Sequence, residues 1–138
     1  MDSPRAAGSS LVAVLAEKPS VARDIASVLG AKTQGKGYLH GGGYIVTWAI
    51  GHLVTLAQPH EIRPEWRRWR RDLLPMLPGE WPLVVCEETK DQFEVVRKIF
   101  NSPRVSRIVC ATDAGREGEL IFRYIYEAAG CQKPFQRL

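Results

Sequence analysis

Short apolar runs alternate with amphipathic segments along this chain, and this alternation limits the possible folds more than any other feature. The run 11-LVAVLA-16 is continuous, apolar and rich in branched residues, as expected of a strand buried on both faces. Residues 18–30 then form one helical stripe that ends at a glycine, with Val21, Ile25, Val28 and Leu29 as its apolar members. Because strand–helix alternation produces parallel strands, we predict an α/β fold, a mostly parallel central sheet flanked by helices.

Later segments repeat the pattern. Further buried strands are predicted at residues 83–87 and 105–111, and further helices at 89–101, with Thr89 as the N-cap, and at 116–130. The sequence therefore predicts three buried strands that each lead into a helix.

The remaining segments define the expected domain organisation. Residues 1–10 are small and polar and are expected to form a disordered tail, while 11–138 form one domain. Residues 35–56 are glycine-punctuated and β-branched, which predicts a hairpin or strand pair ending near Ile50. Residues 57–82 contain five prolines and little periodicity, and we expect a surface excursion there.

Charge and cysteine content restrict the function only loosely. A net charge of +4 is mildly basic and barely raises the odds of a nucleic-acid partner. The three cysteines show no C-x-x-C spacing, and Cys86 and Cys110 lie in apolar runs, which predicts buried, reduced thiols in the cytoplasm. No apolar run approaches the length of about 18 residues that spans a membrane, so we predict no membrane contact.

Acidic residues are concentrated where two of the predicted strands end. Glu17 follows the first strand, and Asp113 and Glu117 lie in 111-ATDAGREGEL-120, directly after the strand at 105–111. The carboxyl ends of parallel strands meet at one edge, and neighbouring strands are about 4.8 Å apart, so these acids are expected to share that edge. Clustered carboxylates repel unless a cation lies between them, and Mg²⁺ favours one or two carboxylates with water and phosphate.

Basic groups accompany the acids. Lys18 adjoins Glu17, Arg116 adjoins Glu117, and the predicted helix N-terminus presents amide groups to an anion. Acids for a metal and bases for a phosphate together indicate phosphoryl-transfer chemistry.

A purely structural role for these acids is an open alternative. Glu117 and Glu119 would be favoured in the first turn of a helix by its dipole alone. Asp113 would equally serve as the N-cap of that helix.

Three segments together carry a resemblance to a known family. They are 16-AEKPSVARDIASVLG-30, 48-WAIGHLVTLAQP-59 and 109-VCATDAGREGELIFR-123. In content, order and separation they resemble the Toprim domain of type IA DNA topoisomerases, and most closely that of bacterial topoisomerase III. The resemblance covers roughly residues 11–138 and implies the Toprim fold, which is Rossmann-like.

The resemblance also implies roles for individual residues. Glu17 would lie by the scissile phosphate, where it assists proton transfer and metal binding, and Lys18 would contact that phosphate. Asp113 and Glu117 match the first and last acids of an Asp-x-Asp-x-Glu motif that holds Mg²⁺. Arg116 falls in the REGE extension of the motif and is a further candidate catalytic residue.

Gly115 replaces the middle acid of that motif, as in some topoisomerase III sequences. The expected site therefore has one carboxylate fewer than the motif. Water, phosphate or Glu119 would supply more of the ligands in the coordination shell of the metal.

The implied reaction is cleavage of single-stranded DNA by a tyrosine, through a 5′-phosphotyrosine link, followed by strand passage and religation. The chain's tyrosines are Tyr38, Tyr44, Tyr124 and Tyr126, and none lies in a segment that resembles the family's nucleophile. We therefore expect a truncated N-terminal part of a longer enzyme that is inactive alone and that works with the remaining domains of the same polypeptide. The segment 134-PFQRL-138 is expected to begin a further strand.

A basic, aromatic stretch lies within the predicted excursion. In 61-EIRPEWRRWRRDLLP-75, tryptophans are interleaved with arginines, and the candidate DNA-binding residues there are Arg67, Arg68, Arg70 and Arg71. The alternative is a short helix with buried tryptophans and solvated arginines. His52, in the Gly-His-Leu stretch near the active edge, is either a DNA contact or a structural histidine.

Two further functions remain open beside a topoisomerase acting in the cytoplasm at the nucleoid. One is another Toprim protein, such as a nuclease or primase. The other is a nucleic-acid-binding module without catalysis, which would bind no metal.

Overall fold

The structure is a computed structural model that describes residues 10–50, 53–57 and 82–138. Three α-helices lie in these ranges: α1 (Pro19–Leu29), α2 (Lys90–Phe100) and α3 (Arg116–Ala128). The strands are β1 (Leu11–Ala16), β2 (Thr33–Gly35), β3 (Tyr38–Gly41), β4 (Tyr44–Trp48), β5 (Val54–Leu56), β6 (Leu83–Val85), β7 (Val105–Ala111) and β8 (Phe135–Arg137). A short 3₁₀ turn, Glu87–Thr89, leads into α2, which begins directly after Thr89 as predicted.

Six strands form the main sheet, in the order β2-β3-β4-β1-β7-β8. The four strands β4, β1, β7 and β8 run parallel to one another, and β2 and β3 add an antiparallel arm beside β4. This arrangement confirms the predicted α/β fold with a mostly parallel sheet. It also confirms the further strand expected after residue 134.

Helices cover both faces of the sheet. On one face α1 packs against alternate residues of β1 and β4, including Val14, Ala16 and Val46. The expected packing of Val28 was wrong: its side chain is exposed at the rim of an apolar groove on this face. On the other face α2 and α3 cover the remaining set, with Leu15 and Phe122 fully buried. Burial of one such large side chain stabilises the fold by about 1.5–3 kcal/mol. The two-sided burial explains why β1 is apolar at every position.

A strand is present in the predicted range 83–87, but it is shorter than expected, is not fully buried and does not join the main sheet, so its expected place in the core was wrong. Only Leu83–Val85 is extended, and this strand pairs antiparallel with β5 in a separate two-stranded sheet. All three of its residues are half-buried. The strand is too short to cross the core because the chain turns at Glu87. Its partner, β5, lies some thirty residues earlier in the chain, and local periodicity cannot predict a pairing over that separation.

The region 35–56 contains more strands than the single pair expected. It includes a β3–β4 hairpin whose turn is formed by Gly42 and Gly43, at φ 59° and 87°, a conformation that side chains disfavour. Beyond that hairpin, β5 turns away to pair with β6. The predicted tail at 1–10 and the excursion at 57–82 lie almost wholly outside the described residues.

Cysteine burial differs from expectation at one position. Cys110 is buried, as predicted, but Cys86 is only half-buried because it follows β6 outside the main sheet. No helix in the described part of the chain is both long and apolar enough to cross a membrane.

Candidate metal and phosphate site

The two acidic segments meet at the carboxyl edge of the sheet. Strands β1 and β7 are direct parallel neighbours, with Ala16 opposite Ala111. Beyond these residues, the backbone N–H of Asp113 donates a 2.9 Å hydrogen bond to Oε1 of Glu17. The prediction that Glu17 and Asp113 share one edge is therefore confirmed, and this bond ties the two segments together.

A closed turn carries the acids of the second segment. The hydroxyl of Thr112, a buried side chain, donates a 2.9 Å hydrogen bond to the carbonyl oxygen of Gly118. Gly118 packs so tightly that a Cβ there would overlap the Asp113 carbonyl oxygen. Only glycine allows the first turn of α3 to lie directly against Asp113.

Helix α3 begins one residue after Gly115, which occupies the N-cap position in an extended conformation at φ −81° and ψ 176°. The alternative that Asp113 caps this helix is therefore wrong, because Asp113 precedes the cap by two residues. Glu117 lies in the first turn of α3, where the helix dipole favours an acid whatever its function.

Candidate ligands and bases are accessible at this edge. Asp113, Glu117, Lys18 and Arg116 are exposed, while Glu17 is half-buried against the strand ends. Exposed carboxylates beside exposed cations suit a site that binds a charged ligand from solvent.

Glu119 does not fill the position left by Gly115. Its Oε2 accepts a 2.9 Å hydrogen bond from Arg123, and its Oε1 accepts bonds of 2.6 and 3.1 Å from Arg137. These hydrogen bonds, from Arg123 first and Arg137 second, lower the pKa of Glu119. The expectation that Glu119 helps to complete a metal shell is therefore not met, because its carboxylate is already engaged by two guanidinium groups.

The residues present fit a magnesium ion in one respect. Within the described ranges, no group of three or more His, Cys, Asp or Glu side chains is arranged to hold a metal. Mg²⁺ does not need such a cage, because it retains water and is commonly held by one or two carboxylates together with phosphate oxygens. Asp113 and Glu117 are both exposed and supply the hard oxygen donors that this ion prefers, but in the described ranges the three predicted ligands Glu17, Asp113 and Glu117 do not converge as one cluster.

Sequence reasoning missed Thr112 and Arg137, which support the turn without carrying an obvious motif. Nothing in the sequence around Thr112 distinguishes it as a residue that closes the turn. Arg137 lies in a strand of three residues, which is too short to show a periodic pattern. The remaining candidates, His52, Arg67, Arg68, Arg70 and Arg71, lie outside the described residues.

The tyrosines of the chain have structural contacts. Tyr126 packs against Phe122 and Phe135 with ring centroids 5.7 and 4.9 Å apart, and its hydroxyl donates to the Lys133 carbonyl oxygen at 2.6 Å. Tyr38 is half-buried and packs against the core. Tyr126 is therefore a packing residue, and Tyr124 likewise packs against the core.

Comparison with known proteins identifies the class of domain that this sheet and its acidic edge define. A family model described as the Toprim domain matches residues 12–138. The chain therefore belongs to the Toprim domain family.

Individual relatives narrow the comparison. The chain is 55% identical over 126 residues to the DNA topoisomerase 3 of Shouchella clausii (strain KSM-K16), an alignment that covers 91% of this chain and 17% of that protein. It is 52% identical over 129 residues to the DNA topoisomerase 3 of Bacillus subtilis (strain 168), which covers 94% of this chain and 18% of the relative. The chain thus spans less than a fifth of the length of these relatives.

Proposed function

We propose that this chain is the metal- and phosphate-binding part of a DNA topoisomerase III, a type IA enzyme that cleaves and religates single-stranded DNA through a 5′-phosphotyrosine. The observation that carries this proposal is the hydrogen bond from the Asp113 amide to Glu17, which unites the two acidic segments at one edge. The 55% identity of the chain to a protein named DNA topoisomerase 3 also supports the proposal.

Each residue at the edge has a distinct task in this proposal. Lys18 and Arg116, both exposed, attract and orient the DNA phosphate. Glu17 holds or releases a proton beside that phosphate, and its bond to Asp113 fixes one of its oxygens. Asp113 and Glu117 hold Mg²⁺, which supplies positive charge to the phosphate oxygens when bound. The nucleophilic tyrosine would come from another part of the longer polypeptide, which acts on DNA at the nucleoid.

Magnesium titration of the 138-residue chain tests the metal part. We expect Mg²⁺ to shift the backbone amide resonances around Asp113 and Glu117, with saturable binding that Asp113→Asn or Glu117→Gln weakens at least tenfold. Glu127→Gln is the matched control, because Glu127 is exposed on the same helix, α3, but near its far end. Equal binding by all variants would contradict the proposal.

Single-stranded DNA binding separates this function from the module without catalysis. A topoisomerase site predicts that Mg²⁺ and an oligonucleotide influence each other's affinity, and that Asp113→Asn removes this coupling. Binding of DNA that is independent of metal, and unchanged by Asp113→Asn, would instead favour the non-catalytic module. Cleavage of single-stranded DNA without a covalent protein link, tested on the longer protein, would favour the nuclease alternative.

A further inference from the structure

Arg137 reaches from the edge strand to the turn that carries the candidate metal ligands. It lies at the end of β8, opposite Cys110 of β7, two residues before Thr112. Its Nη1 donates a 2.7 Å hydrogen bond to the Thr112 carbonyl oxygen, and its Nη2 donates to the Thr112 hydroxyl at 3.3 Å. One side chain thus holds both the backbone and the side chain of the residue that precedes Asp113.

The same guanidinium holds the far side of the turn. Its Nη2 and Nε donate to Oε1 of Glu119 at 2.6 and 3.1 Å. Thr112 and Glu119 flank the segment 113–118, and the Thr112 hydroxyl closes that segment by donating to Gly118. Arg137 therefore spans the two ends of the loop that contains both Asp113 and Glu117.

We propose that Arg137 is a positioning residue, which fixes the turn at 113–118 by bridging Thr112 and Glu119 and so presents Asp113 and Glu117 in register with Glu17. The effect of Arg137 on Mg²⁺ affinity rests on the proposed function. Its effect on the order of the turn at 113–118 does not depend on that function. The hydrogen bonds of Arg137 go to Thr112 and Glu119, so it acts on Asp113 and Glu117 through the residues on either side of their segment.

The planar fork of arginine is what this task requires. Three nitrogen atoms donate in fixed directions to three different oxygen atoms. A lysine ammonium would retain the charge near Glu119 but would lack the rigid fork that reaches Thr112 at the same time. Lys is therefore expected to replace Arg137 only in part.

Amide hydrogen exchange tests the order of the turn without any metal. The reporters are the amides of Asp113, bonded to Glu17, and Glu119, bonded to the Gly115 carbonyl oxygen at 3.0 Å. Because Arg137→Ala removes several hydrogen bonds, some to a charged partner, we expect both amides to exchange roughly tenfold faster or more. Arg137→Lys should give an intermediate rate, and Thr112→Val should accelerate the same two amides.

Two comparisons make the result decisive. Arg107→Ala is the matched control, because Arg107 is an exposed arginine of the adjacent strand β7 that donates to Gln136 at 2.5 Å rather than to the turn. Leu15, fully buried in the central strand β1, reports global opening. Unchanged exchange at Asp113 and Glu119 in Arg137→Ala, or equal acceleration at Leu15, would overturn the proposal.

A magnesium titration of the same variants separates this proposal from the function on which it rests. We expect Mg²⁺ affinity to fall several-fold in Arg137→Ala, to recover partly in Arg137→Lys and to be unchanged in Arg107→Ala. Normal Mg²⁺ binding by Arg137→Ala would overturn the positioning role and leave the proposed function intact. Absence of Mg²⁺ binding by the unaltered chain would refute the proposed metal site, and hydrogen exchange would still decide whether Arg137 orders the turn.

Discussion

The two glycines of the acidic turn differ in the space available for a side chain. A Cβ on Gly118 would overlap the carbonyl oxygen of Asp113, whereas a Cβ on Gly115 would meet nothing within 4 Å. We expect Gly118→Ala to lower the free energy of unfolding by about 1–3 kcal/mol, because α3 must move away from Asp113. Gly115→Ala should change it by less than about 1 kcal/mol. Urea unfolding monitored by circular dichroism measures both, and equal losses would contradict this explanation.

The open space at Gly115 also allows the absent acid to be added. Gly115 has an extended backbone at the N-cap of α3, where aspartate and asparagine are both favoured. Gly115→Asp should therefore fold well and place a third carboxylate between Asp113 and Glu117, which raises the affinity for Mg²⁺ several-fold.

Gly115→Asn is the matched control, because it offers the same shape and cap without the charge. Calorimetric titration with Mg²⁺ measures the difference between the two variants. An identical affinity would mean that residue 115 does not face the metal.

At the scale of elements, Lys133 connects the ends of two helices. It follows α3 and donates from Nζ to the carbonyl oxygens of Phe100, at 2.6 Å, and Ser102, so that it neutralises the C-terminal end of α2. Lys133 is half-buried, and this burial lowers the pKa of its ammonium group.

We expect Lys133→Met, which keeps the length of the side chain, to lower the free energy of unfolding by about 2 kcal/mol. Lys98→Met is the control, because Lys98 is exposed on α2. Chemical denaturation compares the two variants, and similar small losses in both would show that the Lys133 contacts contribute little.

Elements with strong local patterns were the predictable ones. The apolar runs of β1 and β7 and the stripes of α1 to α3 fixed the α/β class, and parallel neighbours then brought Glu17 to Asp113. The pairing of β6 with β5 was not predictable, because a three-residue strand has too few side chains to specify a distant partner. The bridge from Arg137 to Thr112 was likewise missed, since it depends on β8 lying beside β7.

At the scale of the whole molecule, the candidate site depends on the complete sheet. Glu17 and Asp113 are 96 positions apart, so their hydrogen bond forms only when β1 and β7 pair. Variants that loosen the pairing of β1 with β7 should therefore lower the affinity for any ligand that binds at this edge.

The arginine-rich stretch at 61–75 gives a prediction that needs no knowledge of its conformation. If Arg67, Arg68, Arg70 and Arg71 bind phosphates, replacing each by alanine should weaken single-stranded DNA binding alike for all sequences. Each phosphate that is no longer neutralised should also lower the slope of log affinity against log salt by about 0.7. Fluorescence anisotropy at several salt concentrations measures the slope, and an unchanged slope would indicate that these arginines are only solvated.

Strand passage should be beyond this chain by itself. Of its four tyrosines, Tyr126 is held by the Lys133 carbonyl oxygen and by two phenylalanine rings, and Tyr44 begins β4 at the opposite end from the acidic edge. We therefore expect no relaxation of a negatively supercoiled plasmid by the purified chain at any Mg²⁺ concentration, with the Bacillus subtilis DNA topoisomerase 3 as the positive control. Relaxation that persists in Asp113→Asn would indicate a contaminating enzyme. Relaxation abolished by that substitution would mean that a tyrosine of this chain attacks DNA, and the division of labour proposed between this domain and the rest of the enzyme would be wrong.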